Sequence, residues 1–236
     1  MNVFKGISYF CLSLSFLSFY NPSYAASSEG LGLDVTRVIF QSTDKSVSLR
    51  ANNTSSKDIW LLRSWITDYH NESDNTPFFI TPPIIRINQK ESIQLRINKL
   101  LDADSLPNDR ESVFSVNVMG IPPEDKSQNG GSIKIAVNTK IKLFYRPEKI
   151  NDKKRVSNLF KDLKIKKFNG GIEVENPTPY FATLDKIKVN GRLIKDGDYM
   201  ISPFSSLKIS VKDAHTFTYQ LINDFGGWSN PVSTQL

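Results

Sequence analysis

The sequence has almost no cysteine and very little histidine. Its one cysteine among 236 residues, Cys11, lies in a leader-like segment. Without that leader the chain has no internal disulfide, no cysteine nucleophile and no cysteine-based metal site, so its core alone must hold the fold. The two histidines, His70 and His215, do not have the spacing of a zinc motif. The sequence also has no G-x-S-x-G motif whose serine a histidine could activate, so we expect both histidines on the surface. We expect no catalytic residue, no metal and no cofactor, and a hydrolase is the weakest alternative.

The first 25 residues have the composition of a secretory signal. Lys5 precedes the apolar run ISYFCLSLSFLSF, and the small residues Ser23 and Ala25 follow it. This order predicts cleavage after Ala25. A membrane anchor is the alternative, but the run is shorter than the ~20 apolar residues that a span needs. No later segment is long and apolar enough, so we expect a soluble, exported protein that does not insert into a membrane.

The charge is mildly basic. The formal net charge is +6, and removal of Lys5 with the leader gives +6 − 1 = +5. Basic clusters at 149–155 and 161–167 have no RNP-like or zinc-finger pattern beside them, which argues against nucleic acid as a ligand. An acidic surface on a protein partner is the better use of this charge.

Hydrophobic residues alternate with polar ones along most of the chain, with turn residues between the runs. This pattern predicts short strands and an all-β protein built of antiparallel sandwiches. Asn190-Gly191 predicts a hairpin turn, and the best helix candidate, KRVSNLFKDLK, spans only a turn or two. The predicted strands before Pro147 lie at 31–40, 47–53, 58–69, 78–83, 84–87, 91–100, 111–123 and 132–147. The predicted organisation is a signal peptide (1–25), a first domain (26–147), a linker (148–155) and a second domain (156–236).

The strand pattern in SIKIAVNTKIKLFYRP, residues 132–147, is longer than a small sandwich can cover. At ~3.3 Å per residue it would reach roughly 45 Å. Its apolar row begins with Ile133, Ile135 and Val137. These side chains either pack inside this protein as an ordinary core row or are covered by a partner through β-strand addition.

Two cations lie beside apolar residues. Arg37 falls in the row Leu33, Val35, Arg37 and Ile39, which the pattern places inward, and Lys142 stands between two apolar residues. One interpretation is that Arg37 reaches water and Lys142 simply points outward. The other is that both cations are prepared for one anion absent from this chain, such as a carboxylate.

The chain resembles the periplasmic pilus-assembly chaperones of Gram-negative bacteria, of the chaperone–usher type. The matching stretches run in the family's order through both predicted domains. Only eleven residues, PPEDKSQNGGS, separate Ile121 from Ile133, which resembles the short-loop branch of the family. The matching stretches are TRVIF (36–40), TPP (81–83), RESVF to IPP (110–123), IKLFYRP (141–147), NPTPY (176–180) and INDFGG (222–227).

The resemblance implies two immunoglobulin-like domains in an L or boomerang arrangement around a cleft. By the family pattern, Arg37 and Lys142 would anchor the C-terminal carboxylate of a pilus subunit. The row of Ile133, Ile135 and Val137 would be the donor strand that completes the subunit's fold. The implied partners are pilus subunits, an adhesin and an outer-membrane usher, met in the periplasm. An interdomain ionic cluster would comprise Glu111, Arg146 and Asp224.

Two residues depart from the family pattern. Ser115 stands where an aromatic residue is common and Phe225 where tyrosine is common, and neither is expected to contact the carboxylate anchor. A secreted two-domain adhesin or pilus structural subunit is the main alternative function. That alternative needs an N-terminal donor extension, for which SSEGLG leaves little room. The sequence leaves open whether the free protein caps its exposed strand by dimerising.

Overall fold

The computed structural model describes residues 30–123, 135–194 and 197–236. The predicted signal peptide and Ile133 lie outside these ranges. The described chain is nearly all β and forms two domains with separate hydrophobic cores, which confirms the predicted fold class. None of its helices has the length and apolar character that crossing a bilayer requires.

The first domain packs a four-stranded sheet, in the order β1-β3-β7-β5, against a five-stranded sheet, in the order β2-β9-β8-β4-β6. Both sheets contribute to one core, since Leu49 and Leu95 of the first pack with Leu62 and Leu143 of the second. The strands are β1 (Leu31–Leu33), β2 (Arg37–Gln41), β3 (Ser46–Asn53), β4 (Trp60–Asp68), β5 (Phe78–Thr81), β6 (Ile84–Ile87), β7 (Ser92–Lys99), β8 (Ser112–Ile121) and β9 (Val137–Arg146).

The second domain follows a short helix, α1 (Lys153–Ser157), whose N-terminus is capped by the Asp152 carboxylate. Its sheets have the orders β10-β11-β15 and β13-β12-β16-β17, with β14 paired to β12. The hairpin predicted at Asn190-Gly191 is present, and both residues have the positive φ that a type I′ turn requires. The strands are β10 (Lys164–Phe168), β11 (Gly171–Asn176), β12 (Ala182–Val189), β13 (Arg192–Leu193), β14 (Met200–Ile201), β15 (Ser205–Ser210), β16 (Thr216–Leu221) and β17 (Val232–Gln235).

The strand predicted at 31–40 is wrong as a single element. Asp34 exchanges hydrogen bonds with Arg50, and the chain then leaves the first sheet for the second. Because β1 and β2 are separate strands in different sheets, the alternation of core-facing side chains does not continue from one to the other. In β2 the inward residues are Val38 and Phe40, both buried, so Arg37 is not in an inward row and turns to the opposite face of the sheet.

The strand predicted at 132–147 begins later than expected within the described residues, at Val137. Its ladder with β8 ends where Val137 lies opposite Gly120. Beyond that point β8 runs into Pro122 and Pro123, which have no backbone N–H to extend a ladder. Ile135 and Ala136, which precede the ladder, therefore belong to no strand.

One row of β9 changes from buried to exposed along its length. Ile141, Leu143 and Tyr145 face the core and are buried, whereas Val137 and Ile135, of the same parity, are 58% and 69% exposed. The interpretation of an ordinary core row holds for the C-terminal half of the strand. It fails for the N-terminal half, where large aliphatic side chains lie in solvent.

We expect alanine substitution to separate the two halves of this row. Leu143→Ala should cost about 2–5 kcal/mol of the free energy of unfolding because it opens a cavity in the core. Val137→Ala should cost less than about 0.5 kcal/mol because its side chain is exposed. Urea unfolding of both variants measures the difference, and a Val137 loss as large as that of Leu143 would show that the whole row is core.

Candidate functional site

The two edges of β9 are paired over different lengths. On one side β8 accompanies the strand from Val137 to Tyr145. On the other side β2 pairs with it in parallel, but only from Lys142 to Arg146, since β2 starts at Arg37. Among the described residues no strand pairs with this second edge between Val137 and Ile141. This segment, the free edge of β9, presents backbone donors and acceptors beside exposed aliphatic side chains.

Arg37 and Lys142 lie directly beside each other where this free edge ends. They are register partners in the β2–β9 ladder, so their side chains project from the same face of the sheet. That face is opposite the core and looks toward the second domain. The sequence placed the two cations more than a hundred residues apart, and the parallel pairing of the two strands brings them together.

Arg37 is partly buried between the domains, and one of its N–H donors has no hydrogen-bond partner among the described residues. Its Nη1 donates to the backbone oxygen of Ile222 at 3.2 Å, and its guanidinium lies 5.6 Å from the ring centroid of Phe144. Its Nε is buried and has no partner among the described residues. Burial lowers the pKa of Arg37, although Asp224 and Glu111 oppose the shift. An anion that reached this guanidinium would relieve both the desolvation and the unpaired N–H.

Lys142 has an anion of its own chain beside it. Its Nζ lies 3.1 Å from a carboxylate oxygen of Asp198, in the second domain, and 5.3 Å from the ring centroid of Tyr69. The Tyr69 hydroxyl also donates to Asp198. Partial burial by itself raises the pKa of Asp198, but the Tyr69 hydrogen bond and the Lys142 charge together lower it below its ordinary value.

Ser115 lies next to Lys142, although the sequence led us to expect Ser115 away from the predicted anchor residues. It is the register partner of Lys142 in the β8–β9 ladder. It is 1% exposed, and its hydroxyl has no hydrogen-bond partner among the described residues. Ser115, Lys142, Tyr69 and Asp198 line one cavity of about 430 Å³. The contribution of Asp198 had no local signal in the sequence, because it comes from the other domain.

A second cavity, of about 580 Å³, lies between the domains and reaches Arg37. Val35 and Ile39, which share a face with Arg37, line it from the first domain. Ile222 and Phe225 line it from the second, and Phe225 is 96% exposed. Val35 and Ile39 are apolar neighbours of Arg37, as the sequence indicated, but they border the cleft between the domains rather than the core.

The structure brings Glu111, Arg146 and Asp224 into one cluster across the domain boundary. The Nε of Arg146 donates to Glu111 at 2.7 Å, and its two terminal nitrogens donate to the two oxygens of Asp224 at 2.7 and 2.9 Å. The other Glu111 oxygen accepts from the backbone N–H of Phe181 at 2.8 Å. Arg146 and Glu111 are buried, so this pair is far less screened than a surface ion pair.

Burial raises the pKa of Glu111, against the opposing pull of Arg146. Burial also acts to lower the pKa of Arg146, but its bonds to Asp224 and Glu111 outweigh burial and the net pKa is raised. The cluster therefore depends on all of its charges being present together. Loss of one would leave another desolvated and unpaired.

Arg146→Met removes the cation and leaves Glu111 buried without its partner. We expect a loss of about 3–5 kcal/mol in the free energy of unfolding, measured with urea near neutral pH. The folded variant keeps a raised Glu111 pKa, so it holds a proton that the unfolded chain releases above the ordinary glutamate pKa of about 4.3. Its stability should therefore fall as the pH rises through this region.

Glu111→Gln combined with Arg146→Met removes both buried charges and serves as the control. The double variant should be more stable than Arg146→Met alone and should lose the added pH dependence. Equal losses in the two variants would show that the unpaired carboxylate is not the cause.

Two family models match the chain. The description "Pili and flagellar-assembly chaperone, PapD N-terminal domain" covers residues 30–151, and "Pili assembly chaperone PapD, C-terminal domain" covers residues 158–232. Among curated proteins, the chaperone protein PmfD of Proteus mirabilis is 34% identical, covering 96% of this chain and 91% of the relative. The chaperone protein PapD of Escherichia coli is 35% identical, covering 84% of this chain and 83% of the relative.

Solved structures agree in fold over nearly the whole length. A chain in the complex of Salmonella enterica SafA pilin with the SafB chaperone has a TM-score of 0.79 and 26% identity, covering 90% of this chain and 99% of that one. The periplasmic chaperone SfaE has a TM-score of 0.74 and 29% identity, covering 88% of this chain and 100% of that one. These relatives are chaperones, which are not a class of enzyme. The chain belongs to the PapD family of pilus-assembly chaperones.

Proposed function

We propose that this chain is a non-enzymatic chaperone of the Gram-negative periplasm that binds pilus subunits and adhesin and passes them to an outer-membrane usher. Residues 1–25 direct its export, residues 26–147 form the subunit-binding domain, and residues 156–236 form the second domain beyond the linker at 148–155. Family membership and the pilin complex of a similar chaperone support this assignment. The alternatives of a secreted adhesin, a pilus structural subunit or a hydrolase have no comparable support.

The free edge of β9 is the observation that carries the proposal. A strand from a subunit can extend the sheet there only as far as Arg37, because β2 occupies the edge from that residue onward. If the subunit's chain ends at this point, its strand runs from the Ile135 end of the edge toward Lys142, in parallel with β9. Its C-terminal carboxylate then arrives between the two cations that mark the end of the free edge.

Ile133, Ile135 and Val137 are the donated side chains in this proposal. Ile135 and Val137 are exposed in the free protein, and burying such a side chain contributes about 1.5–3 kcal/mol. Main-chain hydrogen bonds along the free edge would add affinity that does not depend on the subunit's sequence. The row would replace the strand that an incomplete immunoglobulin-like subunit lacks.

Arg37 and Lys142 anchor the carboxylate and so fix the register of the added strand. A slip of one residue would turn the donated row to the wrong face. The unpaired Nε of Arg37 and the ammonium of Lys142 can both donate to one carboxylate, and hydrogen bonds between charged groups are the stronger kind. Glu111, Arg146 and Asp224 hold the second domain in place beside this anchor.

Replacing both anchor residues, Arg37→Ala with Lys142→Ala, should leave the protein folded and prevent it from stabilising subunits. We expect recovery of the complex to fall at least about tenfold, because two charge-assisted bonds are lost. Co-expression with a pilus subunit of the same organism and pull-down from the periplasm measures the recovery.

Lys99→Ala is the matched control, since Lys99 is also paired with an aspartate, Asp104, but lies on β7 and lines neither cavity. It should recover the complex as the natural sequence does. Undiminished complex with both anchor residues replaced would refute the anchor.

Ile135→Asp should weaken the same complex by placing a charge in the donated row, without changing the unfolding midpoint of the free protein. Ala136→Asp, at the neighbouring exposed position of opposite parity, should affect the complex less. The same pull-down and a thermal unfolding scan test both variants. A collapse of the free protein's stability in Ile135→Asp would mean that Ile135 is ordinary core.

A further inference from the structure

The cavity beside Lys142 already contains a carboxylate. Asp198 accepts from the Lys142 ammonium at 3.1 Å and from the Tyr69 hydroxyl. The Asp198 side chain is 55% exposed and that of Lys142 is 21% exposed, so the acid lies at the mouth of the cavity and the cation lies deeper. An incoming carboxylate would seek the same two donors.

We propose that Asp198 is an internal stand-in for the subunit's C-terminal carboxylate, and that binding a subunit exchanges one carboxylate for the other on Lys142 and Tyr69. This inference rests on the proposed function, because it presumes that a carboxylate is anchored at Lys142. It adds that the anchor is occupied beforehand by an acid from the second domain.

Hydrogen-bond stoichiometry makes the two carboxylates competitors. The Tyr69 hydroxyl has a single proton and can donate to only one of them. Two carboxylates on one lysine would also repel each other at short range. Burial and the nearby Asp198 raise the pKa of Tyr69, which keeps its hydroxyl protonated and available as a donor.

The stand-in also answers an electrostatic problem of the empty anchor. Arg37 and Lys142 are register partners on adjacent strands, whose axes lie ~4.8 Å apart, so two positive charges start close together. Asp198 compensates the charge of Lys142 without neutralising Arg37, whose Nε stays unpaired. Arg37 is therefore the position where an incoming carboxylate can first bind, before it displaces Asp198 from Lys142.

The unpaired hydroxyl of Ser115 fits the same exchange. It is buried and lines the cavity together with Lys142 and Asp198. Ordinarily a buried hydroxyl without a partner is destabilising. A ligand group drawn into the cavity by Lys142 would come within reach of this third donor.

Binding of two peptides to the full mature chain tests the exchange. The probes are a short peptide of alternating threonine and valine that ends in a free carboxylate, and the same peptide with a C-terminal amide. Asp198→Asn should bind the carboxylate peptide about two- to fivefold more tightly than the natural sequence, because a half-exposed ion pair no longer has to be broken. Its affinity for the amide peptide should stay unchanged.

Asp104→Asn is the matched control. It makes the same change of charge and frees Lys99 from a 3.4 Å ion pair of similar exposure, and neither residue lines the cavity. It should bind both peptides as the natural sequence does. In the Asp198→Asn background, Tyr69→Phe should lower the affinity for the carboxylate peptide, because the hydroxyl would then serve the ligand.

The outcomes separate this inference from the proposed function. If the natural sequence binds both peptides equally, the carboxylate anchor fails and the exchange fails with it. If the natural sequence prefers the carboxylate peptide and Asp198→Asn binds it no more tightly, the anchor stands and the exchange is refuted. A gain of the same size in Asp104→Asn would also refute it, since any loss of negative charge would then suffice.

Discussion

The unequal pairing of β9 is the constraint on which the rest of the structure depends. β8 supports the strand along one edge, while β2 reaches only its C-terminal half on the other. The supported half builds the core of the first domain and carries Arg146 to the second. The other half keeps an unpaired edge and exposed aliphatic side chains, which natural sheets normally avoid. Where β2 begins, the two cations also meet.

Several polar contacts between described residues cross the domain boundary, and three of them start from this same pair of strands. Arg146 binds Asp224, Arg37 donates to the Ile222 carbonyl, and Lys142 pairs with Asp198. Others join Glu111 to the backbone of Pro179 and Phe181, and Tyr69 to Asp198. The surface that would receive a partner's terminus is therefore built from the same residues that join the domains. Any change in how the domains sit alters the anchor as well.

Local patterns in the sequence were enough for most of the strands, for the presence of two β domains and for the Asn190-Gly191 hairpin, because alternation and turn chemistry are short-range signals. They failed at Asp34, where the chain changes sheets and reverses the facing of Arg37, since alternation does not record such a crossing. The ionic cluster of Glu111, Arg146 and Asp224 came from family resemblance alone. Asp198 and Ser115 were not expected beside Lys142, because that proximity depends on how strands and domains pack.

Val137 and Lys142 occupy opposite faces of β9, since Val137 has the parity of the core-facing residues and Lys142 does not. Arg37, the register partner of Lys142 on β2, shares the face of Lys142. In the proposed complex, the side chains of Ile135 and Val137 contact subunit side chains, which differ between subunits. Arg37 and Lys142 on the opposite face bind a C-terminal carboxylate, which every polypeptide has. Substitutions at residues 135 and 137 can therefore narrow or broaden the range of partners without altering the recognition of the terminus. In the proposed complex, the general and the selective parts of the surface would therefore vary independently.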